Sequence, residues 1–286
     1  GSSVSWLLNM VSRFRIEDEA SEEIRVLTDE QRAEILDART DDRHLLHREE
    51  VQTNLAAALL EWRRTHRRGL VAVVGDRGAG KRTACEQVGD QLREAGLDVT
   101  VVELKHRVTA EKEMRAWLAS VAGLETVPDT LDALVEAIEA IEPRGFELRG
   151  IHRAFERRVG GLAAISAMLY VLNATSDRHF WVVSVHKPAW DWFDSVGSLV
   201  DTGVFRAVIR LAPLSSAQLR ALTVARLGAV GLRPDFSGLV RTSAFGADPE
   251  VELERSTSVF YRLLAESSDG NPTIAMHLFA RCLVPT

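Results

Sequence analysis

The feature that most constrains this chain is the heptapeptide Gly75-Asp76-Arg77-Gly78-Ala79-Gly80-Lys81, together with the segments on either side of it. It follows the apolar run 69–74, which predicts a short buried strand, and it precedes residues 83–88, which predict a helix. Glycines allow the loop to curl so that successive N–H groups point inward, and the N-terminus of the following helix adds partial positive charge. The combination predicts a phosphate-binding loop (P-loop) in which Lys81 reaches the β- and γ-phosphates of a nucleotide.

The residue after this lysine departs from the motif. A Ser or Thr normally stands there and its hydroxyl binds Mg²⁺, but this chain has Arg82. Thr83 is the one candidate metal ligand nearby, and a step of one residue along a helix turns its side chain by about 100° from the expected direction. The loop therefore predicts a nucleotide site more strongly than it predicts hydrolysis.

Length and composition exclude several other classes of protein. The 286 residues suffice for one α/β domain and a smaller partner domain. A net charge of −6 does not indicate a nucleic-acid-binding protein, which usually carries a basic face. Cys85 and Cys282 lie far apart and no histidine has metal-ligand spacing, so neither a disulfide framework nor a zinc site is predicted. No membrane-spanning run or signal peptide is evident, and we expect a cytoplasmic location.

Alternating strand and helix patterns predict a doubly covered parallel sheet followed by an all-helical part. The predicted strands are 69–74, 98–104, 145–151, 180–185 and 206–211, with helices at 47–64, 110–122, 130–141 and 160–173. No strand is predicted after residue 213, where helices are expected at 215–229, at 256–267 and from 272. The predicted domains are an N-terminal helical extension (1–46), a P-loop α/β core (47–212) and a helical lid (213–286). The first residues resemble the remnant of a tag, so we expect one module of a longer protein.

Together with the P-loop, four stretches resemble the AAA+ branch of P-loop ATPases, and within it the group that origin-recognition-type and STAND-type ATPases share. The resemblance covers about 47–283. The stretches are the box at 47–50 before an apolar helix, the strand 180–185 that ends at His186, the segment 211–219 and the motif Gly270-Asn271-Pro272-Thr273-Ile274-Ala275-Met276. In the family these are, in order, the adenine-side box, the strand that presents a γ-phosphate sensor, the entry into the lid and the lid's G-x-P motif.

The resemblance implies a five-stranded parallel sheet and a helical lid that hold ATP or ADP between them. The nucleotide then shifts an equilibrium between open and closed arrangements, provided that it binds one of them better. The candidate catalytic residues are His186, at the family's sensor position, and Glu147, the carboxylate nearest to the expected acid. The implied cofactor-binding residues are Gly75, Gly78, Ala79, Gly80, Lys81, Arg82, Thr83, Arg48 and Pro272. The resemblance also implies Mg²⁺, but the residues at the metal-binding positions, such as Arg82, do not favour it.

Two more positions depart from the family. A strand like 145–151 should end in an acid that orders Mg²⁺ and activates the attacking water. By the family's register that acid stands just before Gly150, where this chain has Arg149; the nearest carboxylate, Glu147, lies two residues earlier, roughly 7 Å along a strand. Origin-type relatives also carry a trans-acting arginine before the fifth strand, and here Val204 takes its place, with Arg206 displaced by two residues.

These losses together predict weak or absent hydrolysis, because an arginine finger alone contributes on the order of 10³–10⁵ in rate. We therefore expect a nucleotide-binding regulatory or assembly switch, whose partners are other domains of a longer protein or an AAA+ subunit in an oligomer. Two alternatives stay open: an active ATPase that remodels DNA or protein complexes, with Glu147 and Thr83 as substitutes, and an interaction scaffold with a vestigial pocket. A guanidinium at Arg82 or Arg149 is also able to replace Mg²⁺ as the counter-charge of a phosphate, since it pairs with phosphate bidentately.

Overall fold

The computed structural model describes residues 15–18, 28–37, 49–196, 204–237 and 248–283. The chain divides into two compact units. The α/β unit comprises residues 48–77 and 81–211, and the helical unit comprises residues 1–47, 78–80 and 212–286. The predicted boundaries of three domains remain a prediction. His47 and Arg48, which belong to the predicted adenine-side box, lie outside the described residues.

The α/β unit is built on five parallel strands, as predicted. The strands are β2 (Leu70–Gly75), β3 (Asp98–Glu103), β4 (Arg144–Arg149), β5 (Phe180–His186) and β6 (Ala207–Arg210). Across the sheet their order is β3-β4-β5-β2-β6. Because all of them run in one direction, their carboxyl ends meet at a single edge of the sheet. This edge receives the P-loop after β2 and the segments after β4 and β5.

Helices cover both faces of this sheet, which explains why its central strands are almost continuously apolar. Every residue of β2 is buried, as are the first six of β5. Trp181 of β5 stacks on Phe146 of β4 with 4.1 Å between ring centroids, so this aromatic pair belongs to the core. The helices are α2 (Glu49–Thr65), α3 (Lys81–Glu94), α4 (Glu111–Ala122), α5 (Leu131–Glu139), α6 (Ala163–Thr175) and α7 (Lys187–Val196).

The end of β4 depends on one glycine. Gly150 adopts a φ of 76°, which L side chains rarely adopt, and a Cβ placed on it would lie 2.7 Å from the carbonyl oxygen of Leu104. A short 3₁₀ turn, Ile151–Arg153, follows at once. This sharp change of direction holds the residues after β4 at the carboxyl edge of the sheet instead of letting the strand continue to residue 151, as the sequence predicts.

The helical unit has its own hydrophobic core, which includes Phe260, Tyr261 and Phe279. Its described helices are α1 (Asp29–Leu36), α8 (Ser216–Ala229), α9 (Pro249–Ser268) and α10 (Pro272–Cys282). The prediction that no strand follows residue 213 is wrong at one place, where β7 (Leu232–Asp235) pairs antiparallel with β1 (Arg15–Asp18). Four residues with a Pro among them carry too little periodicity to predict a strand, and the pairing comes from a segment more than 200 residues away.

Candidate functional site

A cavity of about 780 Å³ lies at the carboxyl edge of the sheet. Its lining comes from the P-loop and the start of α3, from the ends of β3, β4 and β5, from the turn after β4 and from the start of α7. The lining residues all belong to the α/β unit: Asp76, Arg77, Lys81, Arg82, Glu103, Arg149, Gly150, His152, Arg153, Phe155, Arg157, Ser184, His186, Pro188 and Ala189. The volume lies in the range of small-molecule and cofactor sites.

The charge of the lining is strongly positive. Two carboxylates, Asp76 and Glu103, face six cationic side chains around the cavity. The six are Arg77, Lys81, Arg82, Arg149, Arg153 and Arg157. A concave wall of one sign of charge concentrates ligands of the opposite sign, so this cavity suits an anion with several charges.

The P-loop lysine lies at the base of this loop, where the motif predicts it. Lys81 begins α3, and its Nζ donates hydrogen bonds to the carbonyl oxygens of Gly75 at 2.7 Å and Asp76 at 2.6 Å. Burial lowers the pKa of the ammonium, and the carboxylate of Asp76 opposes that shift. Gly78 and Gly80 have φ values of 80° and 87°, the left-handed conformation by which a glycine-rich loop turns its N–H groups inward.

Arg82 takes the position of the usual magnesium-binding hydroxyl, and its side chain is 76% exposed. Its Nε donates to Oε1 of Glu86, one turn along α3, at 3.0 Å. Thr83, the candidate metal ligand, is not among the residues that line the cavity. The first turn of α3 therefore presents a guanidinium to the cavity and no hydroxyl.

Arg149 takes the position of the expected acid at the end of β4, and there it forms a buried ion pair. Its Nε donates to Oε1 of Glu147, and the two side chains are 17% and 3% exposed. Its second contact is an ion pair of 3.7 Å with Oε1 of Glu86, the same atom that Arg82 contacts. Burial raises the pKa of Glu147, and the hydrogen bond from Arg149 opposes this rise. Glu147, the candidate catalytic acid, thus lies beneath Arg149 and does not line the cavity.

Two histidines meet at the cavity wall. The rings of His152, in the turn after β4, and His186, at the end of β5, are 4.2 Å apart and perpendicular. Burial, helped by the neighbouring charges of Lys81 and Arg77, lowers the pKa of His186 to about 4. Burial and the charge of Arg153 likewise lower the pKa of His152. Both imidazoles are therefore neutral near pH 7 and present nitrogen lone pairs as well as N–H donors.

The structure brings together some of the predicted site residues and not others. Lys81, Arg82 and His186 line one cavity, and the carbonyl of Gly75 holds the lysine. Pro272 lies buried at the first position of α10 in the helical unit, and residues 78–80 are assigned to that unit as well. Arg48 lies outside the described residues. Their roles in binding nucleotide remain predictions.

The displaced arginine before β6 has a structural partner. Arg206 donates through Nε to the carbonyl of Arg68 at 3.0 Å and through its NH2 group to the carbonyl of Arg67. These bonds hold the segment that leads into β2 against the start of β6. Both contacts of Arg206 lie within its own α/β unit, whereas a trans-acting arginine finger would reach a neighbouring subunit.

Sequence analysis missed His152 and did not assign Arg153 or Arg157 to the site. All three follow β4 and line the cavity. A signal for them was present, because ligands of open parallel sheets bind at the carboxyl ends of the strands and these residues come directly after one such end. They lie near His186 because β4 and β5 are neighbours in the sheet, and no local sequence pattern predicts that pairing.

The magnesium ion that the family resemblance implies does not fit the residues present. The positions that should supply a hydroxyl and a carboxylate hold Arg82 and Arg149, and Glu147 is engaged by a guanidinium. Among the described residues, no group of three or more His, Cys, Asp and Glu side chains is arranged to hold a metal ion. Mg²⁺ prefers oxygen ligands in octahedral geometry, and two guanidinium groups offer none.

Comparison with solved structures identifies the fold. The Orc1 protein of Aeropyrum pernix, solved in complex with DNA, matches with a TM-score of 0.52 and 17% identity, over 83% of this chain and 62% of that one. Cdc6p from Pyrobaculum aerophilum matches with a TM-score of 0.53 and 14% identity, over 92% of this chain and 64% of that one. This chain therefore spans less than two thirds of the length of either protein. No protein-family model and no curated protein sequence matches it.

At these identities the similarity establishes the fold alone. The predicted P-loop α/β fold with a helical part is confirmed, and so is its likeness to origin-recognition AAA+ proteins at the level of the fold. Likeness to the STAND group remains a prediction. In the part of the chain that the structure describes, no helix is long and apolar enough to span a membrane. The chain has the fold of the Orc1 and Cdc6p structures.

Proposed function

We propose that this chain is an AAA+-type nucleotide-binding module that takes up ATP or ADP and hydrolyses ATP weakly or not at all. The observation that carries the proposal is the cavity itself, in which a P-loop with its lysine faces an arginine at the place of the metal-ordering acid. The first feature favours the binding of phosphate. The second removes the group that would position a metal ion and a water molecule for phosphoryl transfer.

The positive lining supports a polyphosphate ligand over a neutral one. Six cationic side chains and two neutral histidines line the cavity. Guanidinium and ammonium groups form charge-assisted hydrogen bonds with phosphate oxygens, and each such bond is stronger than a bond between neutral groups. Lys81, which lies at the base of the P-loop and lines the cavity, is the residue on which binding depends most.

A module that binds nucleotide and cleaves it slowly serves best as a regulatory or assembly switch inside a larger protein. Its output is a change in population between states that bind nucleotide differently, and its partners are other domains of that protein or an AAA+ subunit. The active-ATPase alternative requires Glu147 as its acid, and the pairing of that carboxylate with Arg149 disfavours it. The scaffold alternative requires that no nucleotide binds.

Calorimetric titration of ATP and ADP, combined with measurement of released phosphate, tests the proposal. Wild-type protein is expected to bind nucleotide, Lys81→Ala to lose most of that affinity, and both proteins to release phosphate at the same background rate. Robust turnover that depends on Lys81 would establish an active ATPase instead. Mass spectrometry of nucleotide that co-purifies with the protein gives an independent measurement, and an absence of both binding and co-purified nucleotide would favour the scaffold.

A further inference from the structure

We infer that this site binds the phosphates of its nucleotide without a divalent cation, with the guanidinium of Arg149 in the role that Mg²⁺ plays in related sites. The inference rests on the proposed function, because it specifies how the same cavity neutralises its ligand. It goes beyond that function by assigning the counter-charge to the protein and by naming the residue that supplies it.

A site that binds a nucleotide must offset the negative charge of its phosphates. In P-loop enzymes Mg²⁺ bridges the β- and γ-phosphate oxygens and neutralises part of their charge. Here the place of the metal's protein ligands is taken by positive groups, Arg82 on α3 and Arg149 on β4. A divalent cation between two guanidinium groups would meet repulsion and no oxygen ligand from either. A phosphate group at the same place would meet attraction from both.

Arg149 is held in place for this role. Its Nε–H bonds to Glu147 beneath it, and Glu86 lies 3.7 Å from another of its nitrogens. A guanidinium has five N–H donors in a planar fork, so these two carboxylates do not exhaust its donors. Because Glu147 is buried and Arg149 lines the cavity, the fork has an anchored side and a side that faces the ligand. Such a fork matches phosphate oxygens in a bidentate manner.

The four charged residues form one row that crosses from α3 to β4. Arg82 contacts Glu86, Glu86 contacts Arg149, and Arg149 contacts Glu147. Positive and negative side chains alternate along this row. Both cations line the cavity, whereas Glu86 and Glu147 do not. The two carboxylates therefore stabilise positive charge at the cavity wall. A guanidinium stays charged at every physiological pH, so the positive charge of this wall does not depend on a bound metal ion.

The test is a calorimetric titration of the full chain with ADP and with ATP, once in excess Mg²⁺ and once in EDTA. We expect dissociation constants that agree within about twofold, a difference of about 0.4 kcal/mol. The variant Arg149→Gln should bind about tenfold or more weakly in EDTA, since it loses charge-assisted hydrogen bonds to phosphate. The double variant Glu147→Gln/Arg149→Gln leaves no buried unpaired carboxylate and should show the same loss if the first variant folds poorly.

A matched change elsewhere provides the control. Arg64→Gln removes an exposed arginine of α2 that is also paired with a glutamate and does not line the cavity, and it should bind as the wild type does. Binding in Mg²⁺ that disappears in EDTA would overturn the inference and leave the proposed function standing. Equal binding in both media with no effect of either Arg149 variant would overturn the role of Arg149. An absence of binding in both media would overturn the proposed function, and the inference with it.

Discussion

Arg82 on α3 and Arg149 on β4 make the same departure from the magnesium-binding pattern, yet they lie in very different surroundings. Arg82 is 76% exposed and contacts a glutamate on its own helix, one turn away. Arg149 is 17% exposed and pairs with a carboxylate that is almost completely buried. The two cations meet at a single atom, Oε1 of Glu86.

Two substitutions that depart equally from a motif therefore need not contribute equally to the stability of the fold. Arg82 stands where solvent screens its charge, so replacing it alters the cavity and little else. Arg149 is part of the packing between β4 and α3, because removing it leaves Glu147 buried with its charge unopposed. The stability of the fold therefore depends on the arginine at the end of β4 and much less on the arginine at the start of α3.

The largest effect is expected from Arg149→Ala. It should lower the free energy of unfolding at pH 7 by about 3–5 kcal/mol, the usual cost of breaking a buried ion pair by removing one partner. Urea denaturation measures the change. The deficit should shrink as the pH falls, because protonation of Glu147, whose pKa burial already raises, removes the unpaired charge. Glu147→Gln/Arg149→Ala is the control and should recover part of the loss; a single variant as stable as wild type would remove the contrast with Arg82.

Lys81→Ala should act on binding and not on stability. The affinity for ATP and ADP is expected to fall by about 10- to 100-fold, which corresponds to the roughly 1.5–3 kcal/mol of a hydrogen bond to a charged group. Thermal unfolding without nucleotide should change little, because the lysine contacts only the carbonyls of Gly75 and Asp76 among the hydrogen-bond partners described. Lys112→Ala, an exposed lysine on α4, is the matched control. Undiminished affinity in Lys81→Ala would show that the P-loop is not the binding element.

The histidine pair predicts a pH dependence of stability. His186 takes up a proton at about 6.5 when unfolded and at about 4 when folded, so the unfolded state binds more protons between these values. Stability should therefore decrease as the pH falls from about 6.5 toward about 4 and should not depend on this group above that window. In His186→Gln the decrease should be shallower. His152 and His179, whose pKa values burial also lowers, contribute to the part that remains.

Chemical denaturation at pH 7.5, 6 and 5 measures this dependence. Identical slopes for wild type and His186→Gln would mean that the imidazole at the end of β5 does not resist protonation in the folded protein.

The smallest effect is expected from Arg82→Ala. An exposed ion pair between residues four apart on a helix contributes about 0.3–0.5 kcal/mol, so unfolding should be almost unchanged. The measurement is the same urea denaturation as for Arg149→Ala, and the ratio of the two effects is the quantity of interest. A loss at Arg82 that approaches the loss at Arg149 would contradict the contrast between the exposed and the buried position.

Much of the secondary structure could be predicted from local patterns. Each of the five predicted strands overlaps an observed one to within about two residues at either end, because a buried parallel strand is a short apolar run bounded by turn residues. The start of α9 was missed by seven residues, at Pro249 instead of 256. Its signal was present in Asp248, whose side chain caps the helix, and in the proline that follows.

The end of β4 shows what local patterns omit. Strand alternation places Glu147 and Arg149 on one face, but it does not say that the two bond to each other, or that Glu86 of α3 approaches them. That approach results from α3 packing against the sheet. The meeting of His152 with His186 likewise results from β4 and β5 being adjacent in the sheet, although these strands end far apart in the chain, at Arg149 and His186.

By itself the sequence determined the P-loop, the strands and the presence of arginine where a magnesium site needs a hydroxyl and an acid. These follow from residue types at short spacing, which act on the backbone locally. Three properties depend on the fold: one of these arginines is exposed, the other is anchored on a buried carboxylate, and two histidines line the same cavity. Burial and long-range contacts set those properties, because the desolvation of a charge depends on every element that packs around it and not on its neighbours in the chain.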